Sequence, residues 1–231
     1  MCADKKSSNG VFSTSPVSAI ATSVEIIPKL SASQLVVKRI MDITVSVLSL
    51  PFFAVATIIL IPLISFDSPG PVFYKQTRIG KNGRTFSLYK FRSMYIDADQ
   101  RLHDVSHLNE AEGPVFKIRK DPRVTRVGYW LRRSSIDELP QILNVLLGNM
   151  SLVGPRPPLP REVEKYTKYQ WGRLAVKPGI TCLWQIEGRS NLSFERWVEL
   201  DLEYIRRQSL LLDLSIILRT IPAVLRGNGA W

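Results

Sequence analysis

The chain has 231 residues, with 31 lysines and arginines against 20 acidic residues, for a formal charge of +11. That length bounds the fold to one sizeable domain with appendages. Two cysteines, Cys2 and Cys182, exclude a disulfide framework and any cysteine-based metal spacing, and a reduced, cytoplasmic setting is the default.

Residues 1–34 are rich in Ser, Thr and Ala with no sustained periodicity, which predicts a disordered arm with room for a short amphipathic piece over Val24–Leu30. No secretory apolar core follows Met1, so the arm is not read as a signal peptide. Lys38-Arg39-Ile40-Met41-Asp42 then precedes 22 uncharged residues, Ile43–Ile64. A straight helix of that length reaches about 33 Å, enough for a bilayer core, so residues 35–66 are predicted to be membrane-embedded. Pro51 interrupts the run after Ser46 and Ser49 and should kink it, with hydroxyls re-satisfying the freed carbonyls. Cations stand on both sides: Lys38 and Arg39 before, and Lys75, Arg78, Lys81 and Arg84 after. That favours both ends on the cytoplasmic face, a re-entrant hairpin hinged at Ser49 and Pro51. A simple transmembrane span stays open as the alternative.

Asp67-Ser68-Pro69-Gly70-Pro71 predicts a rigid turn out of the membrane, opening a domain over residues 67–231. Val72-Phe73-Tyr74 and Phe86-Ser87-Leu88-Tyr89 flank Gly80-Lys81-Asn82-Gly83, a β-hairpin pattern. A polar helix is predicted from Ile96 to Glu110. His103 and His107 would lie one turn apart on it, but the chain has no third histidine, and they are read as surface residues rather than a zinc site. From Lys75 to Arg133 the chain carries 14 Lys/Arg against 6 Asp/Glu. Such a block suits an anionic partner: nucleic acid, lipid headgroups or a phosphorylated small molecule.

The basic block ends in Arg132-Arg133-Ser134-Ser135-Ile136-Asp137-Glu138-Leu139-Pro140-Gln141. An apolar run, Ile142–Leu147, follows and is closed by Gly148, so a short helix with a charged entrance is predicted. Ser135-x-x-Glu138 fits a capping box, whereas Pro140 argues for Asp137 as N-cap with the proline in the first turn. Either way both carboxylates are expected ionised at the positive end of the helix dipole. The pair is then either a helix cap alone or a nucleophile beside a metal-binding carboxylate, and its surroundings must decide.

Three later loops present cations on Pro- or Gly-stiffened backbone. They are Gly154-Pro155-Arg156-Pro157, Lys177-Pro178-Gly179, and Trp184-Gln185 with Gly188-Arg189-Ser190. Solubilising side chains need no such stiffening, while preorganised cations suit phosphate. Neither the P-loop nor the dinucleotide-binding glycine pattern occurs. The chain closes with Phe194–Arg207, whose Trp197, Leu200 and Tyr204 mark a core face, and with the apolar Leu210–Leu225. That last segment is predicted either to lie on a membrane surface or to pack on the domain.

These motifs resemble the monotopic phosphoglycosyl transferases, the bacterial sugar transferases that prime polysaccharide synthesis. The resemblance is carried by Lys38-Arg39-x-x-Asp42, Asp67-Ser68-Pro69-Gly70-Pro71-Val72-Phe73, Gln76-x-Arg78-x-Gly80 and Tyr89-Lys90-Phe91-Arg92-Ser93-Met94. It continues through Asp121-Pro122-Arg123-x-Thr125, Leu131-Arg132, Asp137-Glu138-Leu139-Pro140-Gln141, Val153-Gly154-Pro155-Arg156-Pro157 and Lys177-Pro178-Gly179-Ile180-Thr181, and reaches about Arg226. It implies an α+β fold, with a re-entrant membrane helix hairpin and a mainly helical cytoplasmic catalytic domain bearing a small β-hairpin and amphipathic surface helices. It implies magnesium-dependent transfer of a sugar 1-phosphate from a UDP-sugar to a polyprenyl phosphate, with release of UMP, at the cytoplasmic face of the bacterial inner membrane. This would be the first membrane step of polysaccharide or glycoconjugate synthesis.

In that reading Asp137 forms a covalent phosphosugar, Glu138 holds magnesium and Arg132 supports the pair. Arg78, Lys90, Arg92, Arg156, Lys177, Gln185 and Arg189 bind substrate phosphate. The partners are the donor, the lipid acceptor and membrane lipid, not nucleic acid, and a homodimer is left open. Three departures stand out: Ser49-Leu50-Pro51 replaces an adjacent Ser-Pro, Asn149 an aspartate, and Cys182 a glycine. Without a long multi-helix N-terminal region, the chain resembles the minimal form. A membrane-anchored basic module gripping nucleic acid or anionic lipid is the rival reading. It accounts for charge and anchor but leaves the Asp-Glu pair and the stiff loops unexplained.

Overall fold

The computed structural model describes residues 29–226 and Gly229. The predicted arm and most of its amphipathic piece lie outside the described residues. Helix α1, Ala32–Asp67, starts ahead of the predicted boundary at 35 because Ser31 caps it. The Ser31 hydroxyl accepts from the Gln34 amide at 3.3 Å, and Gln34 Oε1 accepts from the Ser31 amide at 3.0 Å, a reciprocal box that satisfies two orphan donors. The helix continues for 36 residues through Pro51 and Pro62 as one element. Ser49 donates to the Val45 carbonyl at 2.7 Å, so it does not replace the bond that Pro51 denies to Val47.

The middle of α1 has a mean hydropathy of 2.6 over 18 residues, and only 11% of that window is buried. Leu48, Phe52, Val55 and Ile58 all point outward. A helix this apolar and this uncovered is long enough to cross a membrane, and a soluble core helix would be enclosed. Both of its ends are nevertheless fastened to the rest of the chain. Near the start, Lys38 pairs with Asp213 at 2.5 Å, Arg39 donates to the carbonyls of Val145 and Leu146, and Asp42 accepts from Ser151 Oγ and the Leu152 amide, each at 3.0 Å. Near the finish, Leu60 and Ile64 pack on Phe91 and Leu131, and Asp67 accepts from the Val127 amide at 2.8 Å.

Strands β1 (Phe73–Ile79) and β2 (Thr85–Phe91) form the expected antiparallel hairpin, Phe73 opposite Phe91 and Ile79 opposite Thr85. The polar helix predicted over 96–110 does not form; two 3₁₀ turns, Gln100–Leu102 and Ser106–Leu108, stand there instead. Local side chains compete for the backbone: Ser106 Oγ donates to the His103 carbonyl, and Asn109 Oδ1 accepts from the amides of Ala111 and Lys117. His103 and His107 are exposed there.

Helix α2 (Arg126–Arg133) is capped by Thr125 and lies directly on the exit of β2. A Cβ at Gly128 would run into the Ser93 carbonyl. Helix α3 (Gln141–Leu146) ends as predicted at Gly148, whose φ of 83° closes the last turn. The parallel pair β3 (Ser151–Val153) and β4 (Gly179–Thr181) follows, with short helices α4 (Pro160–Val163) and α5 (Lys168–Trp171) between them. Trp184 and Gln185, predicted on a loop, belong to a short helix α6, Leu183–Glu187.

Helices α7 (Phe194–Arg207) and α8 (Leu210–Arg226) complete the fold. Trp197, Leu200 and Tyr204 are buried as expected, and Trp197 stacks on Trp184 with centroids 4.4 Å apart. Helix α8 packs on the domain by one face, which is one of the two predicted alternatives, and leaves the other face exposed. Asp213 and Ile216 are fully buried, while Leu211, Leu214, Leu218 and Ile221 form an exposed apolar stripe.

Candidate active site

The two carboxylates are not at a helix N-terminus. Ser135 takes a left-handed conformation (φ 56°) and Ile136–Glu138 form a separate 3₁₀ turn. Helix α3 starts only at Gln141, and no side chain caps it. Pro140 causes the displacement, since its ring and missing N–H cannot sit in a second helical turn. Both predicted caps, Ser135 and Asp137, are therefore corrected, and the dipole argument for their ionisation falls with them.

What holds the pair is β2. Lys90 Nζ lies 2.7 Å from Glu138 Oε1 and 3.7 Å from Asp137 Oδ2. Asn144 of α3 fixes that strand against the dyad, accepting from the Tyr89 amide at 3.0 Å and donating to the Ser87 carbonyl at 2.7 Å. Arg132, one helical segment upstream, is oriented by an Nε bond to Ser93 Oγ at 3.0 Å.

The charges of the two carboxyls part company. Burial raises the pKa of Asp137 above the usual carboxylate range, and the neighbouring Glu138 charge adds to this against Lys90, Arg132 and Arg156. Burial also pulls Glu138 upward, but Lys90, Arg156 and Arg78 overcome it and hold that carboxyl at about 2. The two carboxyls, both expected ionised, are thus shifted in opposite directions.

A cavity of about 420 Å³ opens over the dyad. Arg78, Lys90, Arg92, Arg132, Arg156, Gln185 and Arg189 all reach its wall. Their heads are not equivalent. The guanidinium of Arg78 is buried, bonded to Gln76 Oε1 and to the Pro157 carbonyl at 2.9 Å, and so props the loop that carries Arg156. Burial, with Arg156 nearby, lowers its pKa to about 10. Arg92 turns its guanidinium to the carbonyls of Ile64, Ser68 and Pro69, closing the C-terminus of α1. Gln185 accepts from the Cys182 thiol, and Arg189 sits in a left-handed conformation at φ 52°.

Lys177 is not brought to the cavity; it stands exposed beside Arg39 and Gly148. Ser49 and Pro51 lie within α1.

Several cavity residues were not singled out by sequence reasoning. Tyr74 and Gln76 share a face of β1 with Arg78 at the strand's period of two. Lys117 is the more telling omission. Its ammonium lies 4.2 Å from the Trp197 ring centroid and 5.8 Å from that of Trp184, and donates to Ser190 Oγ at 2.6 Å. Burial and the Arg156 charge lower its pKa to about 7. In the sequence it is one cation among several in Phe116–Arg123, with no mark of its own.

Among the described residues no three His, Cys, Asp or Glu side chains converge on a metal position. Asp137 and Glu138 bring two adjacent carboxyls to the cavity, whose described lining also includes Asp99, Asp121 and Glu162. A donor set of one or two carboxylates fits a magnesium ion that takes its other ligands from water and a substrate diphosphate.

Residues 33–227 match the family of bacterial sugar transferases, and the chain belongs to that family. It is 49% identical over 199 residues to the galactosyl transferase CpsE of Streptococcus agalactiae, covering 86% of this chain and 44% of the relative. It is 40% identical over 198 residues to the exopolysaccharide production protein ExoY of Sinorhizobium fredii, covering 84% of this chain and 88% of that protein. An undecaprenyl-phosphate glucose phosphotransferase of Komagataeibacter xylinus is 44% identical over 219 residues, covering 87% of this chain and 38% of the relative. The chain therefore spans less than half of CpsE and of the Komagataeibacter enzyme, but most of ExoY.

Proposed function

We propose that the chain transfers a sugar 1-phosphate from a UDP-sugar to a polyprenyl phosphate at the cytoplasmic face of the bacterial inner membrane, releasing UMP. The observation that carries this reading is the buried Asp137, set beside Glu138 at the floor of a cavity walled by Lys90, Arg132 and Arg156. A helix cap needs none of these cations, and Asp137 caps nothing. In the first step an Asp137 carboxylate oxygen attacks the phosphorus bearing the sugar. The bond to the bridging oxygen breaks and UMP leaves with that electron pair. Arg132 and Arg156 stabilise the charge growing on the departing phosphate. In the second step a phosphate oxygen of the lipid attacks the same phosphorus and restores the carboxylate. Glu138 would hold magnesium, which when bound neutralises diphosphate charge, with Lys90 ceding part of its place.

The membrane arrangement follows the same logic. A straight helix of 36 residues spans about 54 Å and would part its ends across a bilayer core of about 30 Å. Here both ends of α1 are tied to one folded body, Lys38 to Asp213 and Asp67 to Val127. This supports re-entry, with residues 67–231 as a catalytic domain on one face and the apolar stripe of α8 resting on lipid.

The names of the relatives direct the first donors to try. In detergent, UMP release is measured from UDP-galactose and UDP-glucose with undecaprenyl phosphate, with and without magnesium. Release that depends on magnesium and yields a lipid-linked sugar diphosphate is expected. Absence of release across a panel of UDP-sugars overturns the reading.

A further inference from the structure

The wall of the cavity includes one residue from beyond the last helix. Gly229, three positions after α8 ends at Arg226, lines it together with Gln185, Arg189 and Ser190. Arg189 is the unusual member of that group. Among the described residues only Asn82, Ser135 and Arg189 combine a side chain with a positive φ, 52° at Arg189. Such a conformation persists only where the surroundings over-determine it. The Arg189 turn is held from outside at each of its residues. The Gly188 amide donates to the Trp184 carbonyl at 3.1 Å, tying the start of the turn to α6. The Arg189 carbonyl accepts from Trp197 Nε1 at 3.1 Å, tying its middle to α7. The Ser190 amide donates to the Gly229 carbonyl at 3.4 Å, the contact from the far end of the chain.

We infer that Gly229 is a positioning residue for Arg189, so that the main chain beyond α8 completes the wall that receives a nucleoside diphosphate. The ligand class rests on the transfer reading above; the contact itself does not. The approach of the two segments is close. A Cβ on Gly229 would lie 3.0 Å from Arg189 Cβ, 3.0 Å from the Gly188 carbonyl oxygen and 3.2 Å from the Ser190 nitrogen. Gly229 also has a φ of 70°, so both its own backbone and its neighbours call for glycine. Deprived of the Gly229 carbonyl, the Ser190 amide turns to water, and the left-handed turn loses the support on its C-terminal side. Arg189 then relaxes to negative φ, and its side chain is carried off its present line. That matters because a guanidinium binds phosphate well only when its fork is already in place. The head stands in the field of the dyad: burial lowers its pKa, and Glu138 is the charge that opposes the shift. Gly229 touches no reacting atom and acts through the arginine alone.

The test compares the full chain in detergent with two variants that keep α8 whole: Gly229→Val, which adds a side chain where none fits, and a chain stopped after Arg226. In hydrogen exchange, peptides covering 188–192 should exchange at least fivefold faster in both variants, while those covering 197–205 stay unchanged. UDP affinity, read by calorimetry, should fall at least fivefold in both. Arg189→Gln should lower it to a similar degree. Adding Gly229→Val to Arg189→Gln should then change it less than twofold further, because the glycine acts only through the arginine. Unchanged exchange over 188–192, UDP affinity within twofold of the parent in either variant, or additive losses in the double variant overturns the inference. Faster exchange across 197–205 overturns it as well, in favour of a general structural role for the arm. UMP release by the parent is measured alongside. A parent that shows the coupling but releases no UMP refutes the transfer reading alone, and one that releases UMP without the coupling refutes this inference alone.

Discussion

Asp137 and Glu138 share a 3₁₀ turn, yet Lys90 approaches Glu138 an ångström closer than Asp137. Glu138 is therefore the settled anion, and Asp137 is the one whose ionisation is costly. A nucleophile with a raised pKa gives an acid limb to the rate: activity should fall as pH drops through the raised value and the carboxyl takes a proton. Asp137→Asn keeps the shape, and no cap depends on the carboxylate. It should abolish transfer in a UMP-release assay while shifting the thermal midpoint by no more than about 2 °C. Glu138→Gln should lower rate and magnesium dependence together.

Lys117 titrates in the opposite sense. Its value of about 7 lies below its ordinary 10.5, so its charge disappears from the cavity as pH rises through neutrality. UDP affinity should weaken from about pH 6 to pH 8, and Lys117→Arg, which stays charged, should flatten that profile in calorimetry. For folding the sign is reversed. Between about 7 and 10.5 the unfolded chain holds more protons at this site, so the penalty for burying Lys117 declines as pH rises. None of this was legible from the chain alone. The Asp-Glu pair was, through its neighbours in sequence. Lys90 meets the pair from 48 residues away along the chain, and Lys117 takes its place over the Trp197 ring, so their environments are made only by folding.

Short-range grammar explains which elements were readable. The β-hairpin and the Gly148 stop are written within a few residues, and both formed as expected. The segment over 96–110 has helix-like spacing of Ala98 and Val105, both buried, but its Ser and Asn side chains take backbone partners for themselves. At the entrance to α3 the two signals conflicted, and the proline displaced the start of the helix. The lock between α3 and β2 was invisible because it depends on one fully buried amide, Asn144, bonded to two backbone groups of the other element. Asn144→Ala leaves both groups unpaired and should cost about 2–4 kcal/mol in a denaturant titration. Turnover should fall as well, because β2 then no longer holds Lys90 against the dyad.

At the scale of the molecule, the middle of α1 and the stripe of α8 both leave large apolar side chains exposed, as lipid-facing surfaces do. The fastening of both α1 ends predicts that they report the same compartment. Single cysteines at Ser33 and Thr77, both exposed, provide the test in a Cys2→Ser background; Cys182 is buried and needs no removal. Both should react in inverted vesicles and neither in intact cells with an impermeant maleimide. Labelling of one from each side would establish a simple span. The length and hydropathy of the run were plain in the sequence, whereas its attachment at both ends required Lys38 to meet Asp213 across 175 positions.

The end of β2 has one further consequence. Lys90 reaches the dyad, Phe91 stacks on Phe73 at 5.2 Å and lies 6.0 Å from Phe53 of α1, and Arg92 clasps the last carbonyls of that helix. Three successive residues thus join chemistry, packing and membrane exit. Displacing α1 would therefore remove the Phe53 contact and the carbonyls that Arg92 holds, and would loosen the strand end next to Lys90 while the hairpin and Asn144 keep its register. The seating of the long helix and the geometry of the dyad are in this way coupled through a single tripeptide.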